Sequence, residues 1–304
     1  MAVKWQQNNT INLLLLRSFK ILKKYLVYLF CLLCFSGMAQ GRKRHFKQKE
    51  LGFFGGGSYY LGDLNPRKHF YMSHPAAGIF FRYSTNYRSA FRFAFNYGKI
   101  SGDDSKSGQP DQVERNLKFT SKLYEFSSTA EFNFFDYRIG HDRHRFTMFI
   151  FAGLAGFYFD PKADIGNGEV SLRTMRTEGK KYPKFQLSVP FGLGLKLNVG
   201  DKCGLGIEWG PRRTFTDYLD DVHGTYPNFT NADLKSYTNQ SLNGSGTPGN
   251  MRGNPSTRDW YFYYGITFNV KLRGAEDECH GRGVRERSRR HLLKHSSTRM
   301  IRHY

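Results

Sequence analysis

The side chains that could do chemistry in this chain are few, and the densest group is acidic. Asp217, Asp220 and Asp221 lie within five consecutive residues, and Ca²⁺ accepts carboxylate oxygens grouped in this way. Their spacing matches no calcium-loop signature, so a solvated cluster, or one paired with arginine, is the alternative. We therefore predict no metal ion and no cofactor for this chain.

A second possible chemistry is ester hydrolysis by a serine and a histidine. Ser73, His74 and His223 are the candidates, and a lipid-modifying enzyme at the rim of a membrane barrel is the hypothesis that they raise. Such sites are recognised by geometry rather than by residue order, and no Ser, His and acid recur here at a fixed spacing. We expect no enzyme and no small-molecule substrate, and we keep the rim enzyme as an alternative.

The element that would position these residues is clearest near residues 259–273, DWYFYYGITFNVKLR. Apolar or aromatic side chains alternate with polar or small ones from Trp260 to Leu272, which is the side-chain period of a β-strand. Strands of soluble sandwiches are usually about 5–6 residues long, whereas a tilted strand needs about 9–11 residues to cross a bilayer. The segment is therefore typical of a membrane-barrel strand.

The same alternation recurs along most of the chain and predicts eight strands. They are centred on residues 50–61, 76–83, 91–97, 124–134, 146–159, 185–197, 203–209 and 260–272. The fifth is apolar on both faces, so its orientation stays open. Long and short connections are expected to alternate, as in outer-membrane barrels. The predicted fold class is all-β: an eight-stranded antiparallel transmembrane up-and-down barrel over residues 50–273, with a soluble lipocalin-like barrel as the alternative.

Both ends of the chain have a different composition. Residues 1–39 have the basic, apolar and small-residue regions of a signal peptide with cleavage after Ala39. Residues 40–49 form a basic lead-in, and residues 274–304 form a basic, flexible tail. The net charge of +21 is concentrated in part at these ends, so we expect no nucleic acid as a partner. The predicted location is the outer membrane, with lipid as a partner and both termini in the periplasm.

The predicted barrel interior is narrow, and side chains should fill it. Six charged residues fall on the polar face of the strands: Arg82, Arg92, Glu125, Glu131, Lys196 and Glu208. Mixed signs suggest an ion-pair network, because unpaired charges there would be costly. We therefore expect a plugged barrel rather than a diffusion pore.

Two cysteines remain after the predicted leader is removed. Cys203 begins the seventh predicted strand, and Cys279 follows the eighth. Adjacent antiparallel strands would bring both to one rim in an oxidising compartment. We predict a Cys203–Cys279 disulfide, with two free thiols as the alternative.

Two stretches carry a family resemblance. FFGGGSYYLGDLNP (53–66) and RRTFTDYLDDVHGTYPNF (212–229) are similar to the signatures of the PorG-like outer-membrane barrels of the type IX protein secretion system. The matching positions are Gly55, Gly56, Gly57, Tyr60, Gly62, Asp63, Arg213, Thr214, Phe215, Asp217, Tyr218, Asp220, Asp221 and Tyr226. The resemblance implies a non-enzymatic secretion component that contacts a periplasmic ring of PorK- and PorN-type proteins. The alternative is a stand-alone barrel with an adhesion or membrane-stabilising role.

Overall fold

The computed structural model describes residues 47–166, 168–228 and 232–272. The predicted signal peptide (1–39), most of the basic lead-in, the basic tail and Cys279 lie outside the described residues. The predictions made for those segments therefore stay predictions.

In the part of the chain that the structure describes, nine strands form one antiparallel sheet. Their bounds are β1 Gln48–Leu61, β2 His74–Ser84, β3 Ser89–Asp103, β4 Lys118–Asn133, β5 Phe146–Asp164, β6 Glu169–Ser171, β7 Phe185–Val199, β8 Cys203–Thr214 and β9 Trp260–Lys271. Eight of them pair in a ring, in the order β1-β2-β3-β4-β5-β7-β8-β9, and β1 pairs with β9 to close it. The short β6 only extends the β5 edge. The predicted closed eight-stranded barrel is confirmed.

Several strands extend beyond their predicted bounds, and the longest extensions, in β3, β4, β5 and β8, run toward the same end of the barrel. β3 continues to Asp103 and β4 begins at Lys118, where the aromatic alternation of the sequence has already stopped. The register of these two strands runs unbroken from Ser89↔Phe132 to Asp103↔Lys118. On its other side β4 stays paired with β5 as far as Thr120↔Lys162. The strict alternation of long and short connections was wrong at one place. The β4–β5 connection, residues 134–145, has as many residues as the β1–β2 connection, residues 62–73.

The outer face of the barrel is apolar. Side chains such as Phe53 (58 % exposed), Phe126 (59 %) and Leu193 (55 %) point away from the interior. Among the described residues, the buried ion pairs of the strands lie on the opposite, inner face. The ambiguous strand β5 is resolved by burial. Ile150 and Leu154 face outward, while Phe149 and Phe151 are buried inside. We call this outer surface the apolar belt.

The connections at one end build a folded layer. Residues 62–73, 104–117, 165–184 and 215–259 lie opposite the end where the described chain begins and stops, and we call this the loop end; the other is the terminus end. Within the described residues, the loop-end connections contain three short α-helices, α1 Pro110–Arg115, α2 Leu172–Met175 and α3 Ala232–Thr238, and one 3-10 turn, Asp104–Lys106. Among the described residues, no helix has the length and apolar character needed to cross a membrane.

Two glycines allow neighbouring strands to approach closely. Gly56 of β1 faces Gly265 of β9 in the register. A Cβ added at Gly56 would lie 2.0 Å from the Tyr264 carbonyl oxygen, whereas one at the neighbouring Gly55 would meet nothing within 4 Å. The Gly55–Gly57 run is therefore a place of close backbone approach, as glycine inside a strand often indicates.

Candidate functional site

Glu131 on β4 is the centre of a buried ion-pair network inside the barrel. Its carboxylate lies 2.8 Å from Arg82 Nε, 3.3 Å from Arg92 Nε and 2.5 Å from Lys196 Nζ. Arg82 also contacts Glu50 at 2.8 Å, and Arg92 contacts Glu208 at 2.5 Å. The alternation of β1, β2, β3, β4, β7 and β8 points all of these side chains to the same interior.

A second interior pair lies closer to the loop end. Arg212 Nε is 3.2 Å from Glu125 Oε2, and the Tyr261 hydroxyl donates to the same oxygen at 2.8 Å. Asn96 donates to the other oxygen of Glu125 at 2.9 Å. All six interior charges named from the sequence are buried and paired.

Two members of the network were missed in the sequence. Glu50 immediately precedes the apolar alternation of β1, and Arg212 lies next to Arg213, which belongs to the family signature. Alternation continued by one residue before Leu51 and by three residues past Trp209 would have placed both on the inner face. Aromatic rings line the basic groups, as with Arg92 5.0 Å from the Phe151 ring centroid and Lys196 4.3 Å from that of Phe149. These contacts explain why β5 is apolar on both faces.

At the loop end, the two family signatures meet at Tyr60. Its buried hydroxyl contacts the carboxylate of Asp220 and lies 3.2 Å from Asp259 Oδ1. Thr214 donates to the Asp259 backbone carbonyl at 2.7 Å, and the Leu219 amide donates to Asp259 Oδ2 at 2.9 Å. Because a phenol has one proton to donate, Tyr60 can serve only one of the two carboxylates as a donor.

Asp221 joins two further connections. The hydroxyl of Tyr182 donates to Asp221 Oδ1 at 2.7 Å, and Thr177 donates to Asp221 Oδ2. Arg252 donates to the Asp221 backbone carbonyl and forms an ion pair with Glu178. Residues 165–184 are thereby tied to residues 215–259.

Arg115, the last residue of α1, completes the connections between the loops. It binds Asp104 through two hydrogen bonds of 2.7 and 2.9 Å. It also donates to the Arg252 carbonyl at 2.6 Å and to the Asp63 carbonyl at 3.1 Å. The centres at Tyr60, Asp221 and Arg115 thus link all four loop-end connections into one layer, which we call the loop-end cap.

The cap is electrostatically unusual because its carboxyl groups are buried among one another. Burial, reinforced by the charge of Asp63, raises the pKa of Asp220 well above its ordinary value. Burial and the neighbouring Asp220 act in the same direction on the pKa of Asp259. Burial raises the pKa of Asp221 to about 7 against the opposing Arg252, and raises that of Asp217 to about 6 against the hydrogen bond from His223. The cap therefore retains protons on carboxyl groups near neutral pH.

The remaining signature residues divide between the inside and the outside of the cap. Tyr226 is buried, Tyr218 stacks on Tyr182 with 4.7 Å between ring centroids, and Asp63 accepts from the Asn254 amide at 3.0 Å. Arg213 and Phe215 are exposed on the outer wall. At Gly62 an added Cβ would lie 2.1 Å from both the Tyr60 hydroxyl and Asp259 Oδ1. Glycine is therefore required there by the Tyr60 centre itself.

The candidate catalytic residues do not assemble into a triad. His223 Nδ1 lies 2.6 Å from Asp217 Oδ2, but Ser73 donates instead to the Phe70 carbonyl at 2.9 Å. His74 Nε2 lies 2.7 Å from Ser101, a serine not named from the sequence. Among the hydrogen bonds of the described residues, no acidic side chain completes that pair.

The acidic cluster and the cysteine of the described residues have the following surroundings. Within the described ranges, no group of three or more His, Cys, Asp or Glu side chains is arranged to hold a metal ion. Asp217, Asp220 and Asp221 instead bond to His223, Tyr60 and Thr177 respectively. Cys203 has no sulfur partner among the described residues. Because Cys279 lies outside them, the predicted disulfide is not tested.

The closed eight-stranded ring, its polar filled interior and its apolar outer face define a small β-barrel of the outer-membrane type. A model of the family described as a domain of unknown function, DUF6089, matches residues 23–280, and the chain belongs to this family. No curated protein matches the chain.

Several solved structures are similar in fold. Ail, the attachment invasion locus protein of Yersinia pestis, is 9 % identical with a TM-score of 0.38, over 74 % of this chain and 99 % of that one. Neisserial surface protein A is 11 % identical with a TM-score of 0.39, over 74 % and 97 %. The outer membrane protein OprG from Pseudomonas aeruginosa is 10 % identical with a TM-score of 0.35, over 76 % and 99 %. At these identities the similarity concerns the fold alone.

Proposed function

We propose that this protein is a non-enzymatic outer-membrane component of the type IX protein secretion machinery. It would anchor or stabilise a periplasmic ring of PorK- and PorN-type proteins. The observation that carries the proposal is the interior network centred on Glu131. A barrel filled by paired charges serves as a rigid membrane anchor, and it leaves no open channel for diffusion.

The secretion role itself is supported by the resemblance of the two signatures. Their residues converge at Tyr60 and build the loop-end cap. That convergence gives the signatures a shared structural purpose, but it lies at the loop end, opposite the terminus end. If the termini are periplasmic, a periplasmic ring must contact the terminus end instead.

The terminus end offers a suitable surface. The β4–β5 connection, residues 134–145, has the sequence FFDYRIGHDRHR and contributes Arg138, Arg143 and Arg145. Asp136 and Asp142 are each already paired, with Arg88 and Arg145. Its three arginines and two aspartates leave the connection a formal charge of +1, and a positive surface favours an acidic partner.

The test is deletion of the gene followed by measurement of the secreted proteins, with complementation by two variants. Replacing residues 138–145 by a neutral linker should abolish secretion and the co-purification of ring lipoproteins from detergent-solubilised outer membrane. Exchange of the exposed Lys235 and Ser236 on α3 for alanine, as a matched surface control, should leave both unchanged. Normal secretion by the deletion strain would overturn the proposal.

The second candidate function is a stand-alone barrel that acts through its loop end. It is favoured by an open cleft of about 490 Å³ in the cap, lined by residues that include Asp111, Glu114, Arg115 and Tyr226. Purification of the barrel without ring proteins, together with normal secretion, would favour this candidate. A rim enzyme would be favoured over both only if Ser101→Ala and His74→Ala abolished the activity of the complementing gene while the barrel still folded.

A further inference from the structure

Two rows of side chains mark where the apolar belt ends on one side of the barrel. Tyr97, Tyr124 and Tyr158 lie directly opposite one another on β3, β4 and β5. Their ring centroids are 5.3 and 6.4 Å apart, and all three are exposed on the outer wall. A row of tyrosines at the edge of an apolar belt is typical of the boundary between hydrocarbon and headgroups.

The next outward-facing position toward the loop end carries lysine on two of these strands. Lys99 of β3 pairs directly with Lys122 of β4, and Lys122 pairs on its other side with Asp160 of β5. Directly opposed side chains in an antiparallel ladder have Cβ atoms about 4.5–5.5 Å apart, and like charges in that arrangement are destabilising. We call Lys99 and Lys122 the interface lysine pair.

Nothing in the described part of the chain neutralises this pair. The one acidic neighbour, Asp160, is bound by Lys184 at 2.9 Å and by the Ser171 hydroxyl at 2.7 Å. Neither Lys99 nor Lys122 has an ion-pair partner among the described residues. Two lysines without an ion-pair partner among the described residues therefore occupy directly paired positions, one outward-facing position beyond the tyrosine row.

Hydroxyl and ammonium donors continue the surface one step further. Thr120 pairs with Lys162 on the outer face, and on its other side Thr120 pairs with Ser101, which is buried against His74. A shallow cavity of about 240 Å³ opens here, lined by Ser101, Thr120, Lys118 and Lys162, with Asp103, Asp164 and Glu169 also in its wall. Along the strands, the Ser101, Thr120 and Lys162 donors lie nearer to the apolar belt than the acidic residues of the cavity wall do.

We propose that the interface lysine pair binds the phosphorylated headgroup of a membrane lipid in the leaflet at the loop end. The headgroup phosphate would lie between the two ammonium groups, and its acyl chains would lie along the apolar belt past the tyrosine row. Charge complementarity and continuity with the belt select a lipid, because a soluble anion would make no use of the apolar surface below. This inference goes beyond the proposed function and holds for any role of the barrel in the membrane.

The experiment is native mass spectrometry of the full chain in neutral detergent, titrated with phosphatidic acid. Phosphatidylcholine and inorganic phosphate are the comparison ligands. The test variant is Lys99→Gln/Lys122→Gln. The control variant is Lys49→Gln/Lys202→Gln, which removes the same charge at the terminus end. Each lysine contributes a similar electrostatic attraction to an anionic headgroup, and the test variant lacks two of them. Phosphatidic acid should therefore bind about 30-fold more weakly to the test variant than to the wild type.

The control variant should bind phosphatidic acid like the wild type, and phosphatidylcholine should bind weakly to all three proteins. A second measurement guards against misfolding. Without anionic lipid, the test variant should unfold at a temperature no lower than the wild type, because the repulsion within the pair is gone.

Three outcomes would overturn the proposal. The test variant could retain wild-type affinity for phosphatidic acid. The control could lose as much affinity as the test variant, which would indicate net charge alone. Inorganic phosphate could bind to the wild type as tightly as phosphatidic acid, which would indicate an anion site without a lipid.

Discussion

In the barrel interior each buried carboxylate faces a basic group, whereas in the loop-end cap carboxyl groups outnumber the basic ones. The interior pairs Glu50, Glu125, Glu131 and Glu208 with Arg82, Arg92, Lys196 and Arg212. In the cap the main basic groups are Arg115 and Arg252. The carboxyl groups around them belong to Asp63, Asp104, Asp217, Asp220, Asp221, Asp259 and Glu178.

The two regions therefore meet the cost of buried charge in different ways. The interior compensates charge with opposite charge, which requires that each carboxylate stays ionised. The cap compensates by keeping protons, as the raised pKa values of Asp217 and Asp221 indicate. Replacing a carboxylate by its neutral amide should then have opposite consequences in the two places.

The largest effect is expected for Glu131→Gln in the interior. The amide would leave Arg82 and Lys196 buried with reduced compensation, and breaking a buried ion pair in this way costs about 3–5 kcal/mol. Urea unfolding of the barrel in detergent or vesicles, followed by heat-modifiable gel mobility, measures the change.

The matched control is Asp136→Asn, which removes an exposed partner of Arg88. Its cost should be about 0–1 kcal/mol, as for other surface pairs. Equal stability of the Glu131→Gln and Asp136→Asn proteins would show that the interior network does not hold the barrel together.

A smaller effect is expected for Gly62→Ala in the cap. Its Cβ would lie 2.1 Å from the Tyr60 hydroxyl and Asp259 Oδ1, and overpacking of this kind costs about 1–3 kcal/mol. Cleavage of residues 215–259 by a protease should become faster while the barrel core stays resistant.

Gly55→Ala is the control within the same signature, because nothing lies within 4 Å of the added Cβ. It should leave the protease sensitivity unchanged. If both substitutions loosened the cap equally, the close contact at Gly62 would not be what holds the Tyr60 centre.

The strand pattern was predictable from the sequence where one face meets lipid and the other meets the interior. β7, with apolar side chains at alternate positions from Phe185 to Leu197 and mostly polar or small residues between them, is the clearest case. The fifth strand could not be oriented, because the interior aromatics Phe149 and Phe151 serve Lys196 and Arg92 on other strands. Which strands face each other across a barrel depends on register, and alternation along a single strand does not contain that information.

Only part of the loop-end cap could be predicted from the sequence, because its contacts also join residues that are far apart in the chain. Asp220 and Tyr60 could be named from the signatures, but their partner Asp259 precedes the closing strand and looks like a strand-end residue. Arg252, Glu178 and Arg115 come from three separate connections that meet only when the barrel closes. Loops without periodicity give no sequence signal for such contacts.

A moderate effect of pH is expected in the cap and should be absent from the core. The pKa values of Asp217 and Asp221 are raised to about 6 and about 7 in the folded cap. An unfolded aspartate titrates near ~3.9, so the folded cap binds more protons than the open one. Its stabilisation is full below that value and is lost as the pH rises through the two folded pKa values.

Protease cleavage of residues 215–259 should therefore be faster at pH 8 than at pH 5, after correction with an unstructured substrate. The heat-modifiable mobility of the barrel should be the same at both values. A cap that is equally resistant at both pH values would contradict the view that retained protons stabilise it.

The smallest effect on stability, and the sharpest comparison with Glu131→Gln, is expected for Asp220→Asn. The amide resembles the protonated carboxyl that burial favours at this position. Its oxygen can still accept from the Val222 amide, a bond of 2.9 Å in the native cap. Its NH₂ group can donate to Tyr60, which frees the single phenol proton for Asp259.

Protease resistance of the Asp220→Asn cap at pH 8 should be equal to or greater than that of the wild type, and the difference in cleavage rate between pH 5 and pH 8 should shrink. If Asp220→Asn instead opened the cap as strongly as Glu131→Gln destabilises the barrel, Asp220 would be ionised in the folded cap, and both regions would compensate buried charge in the same way.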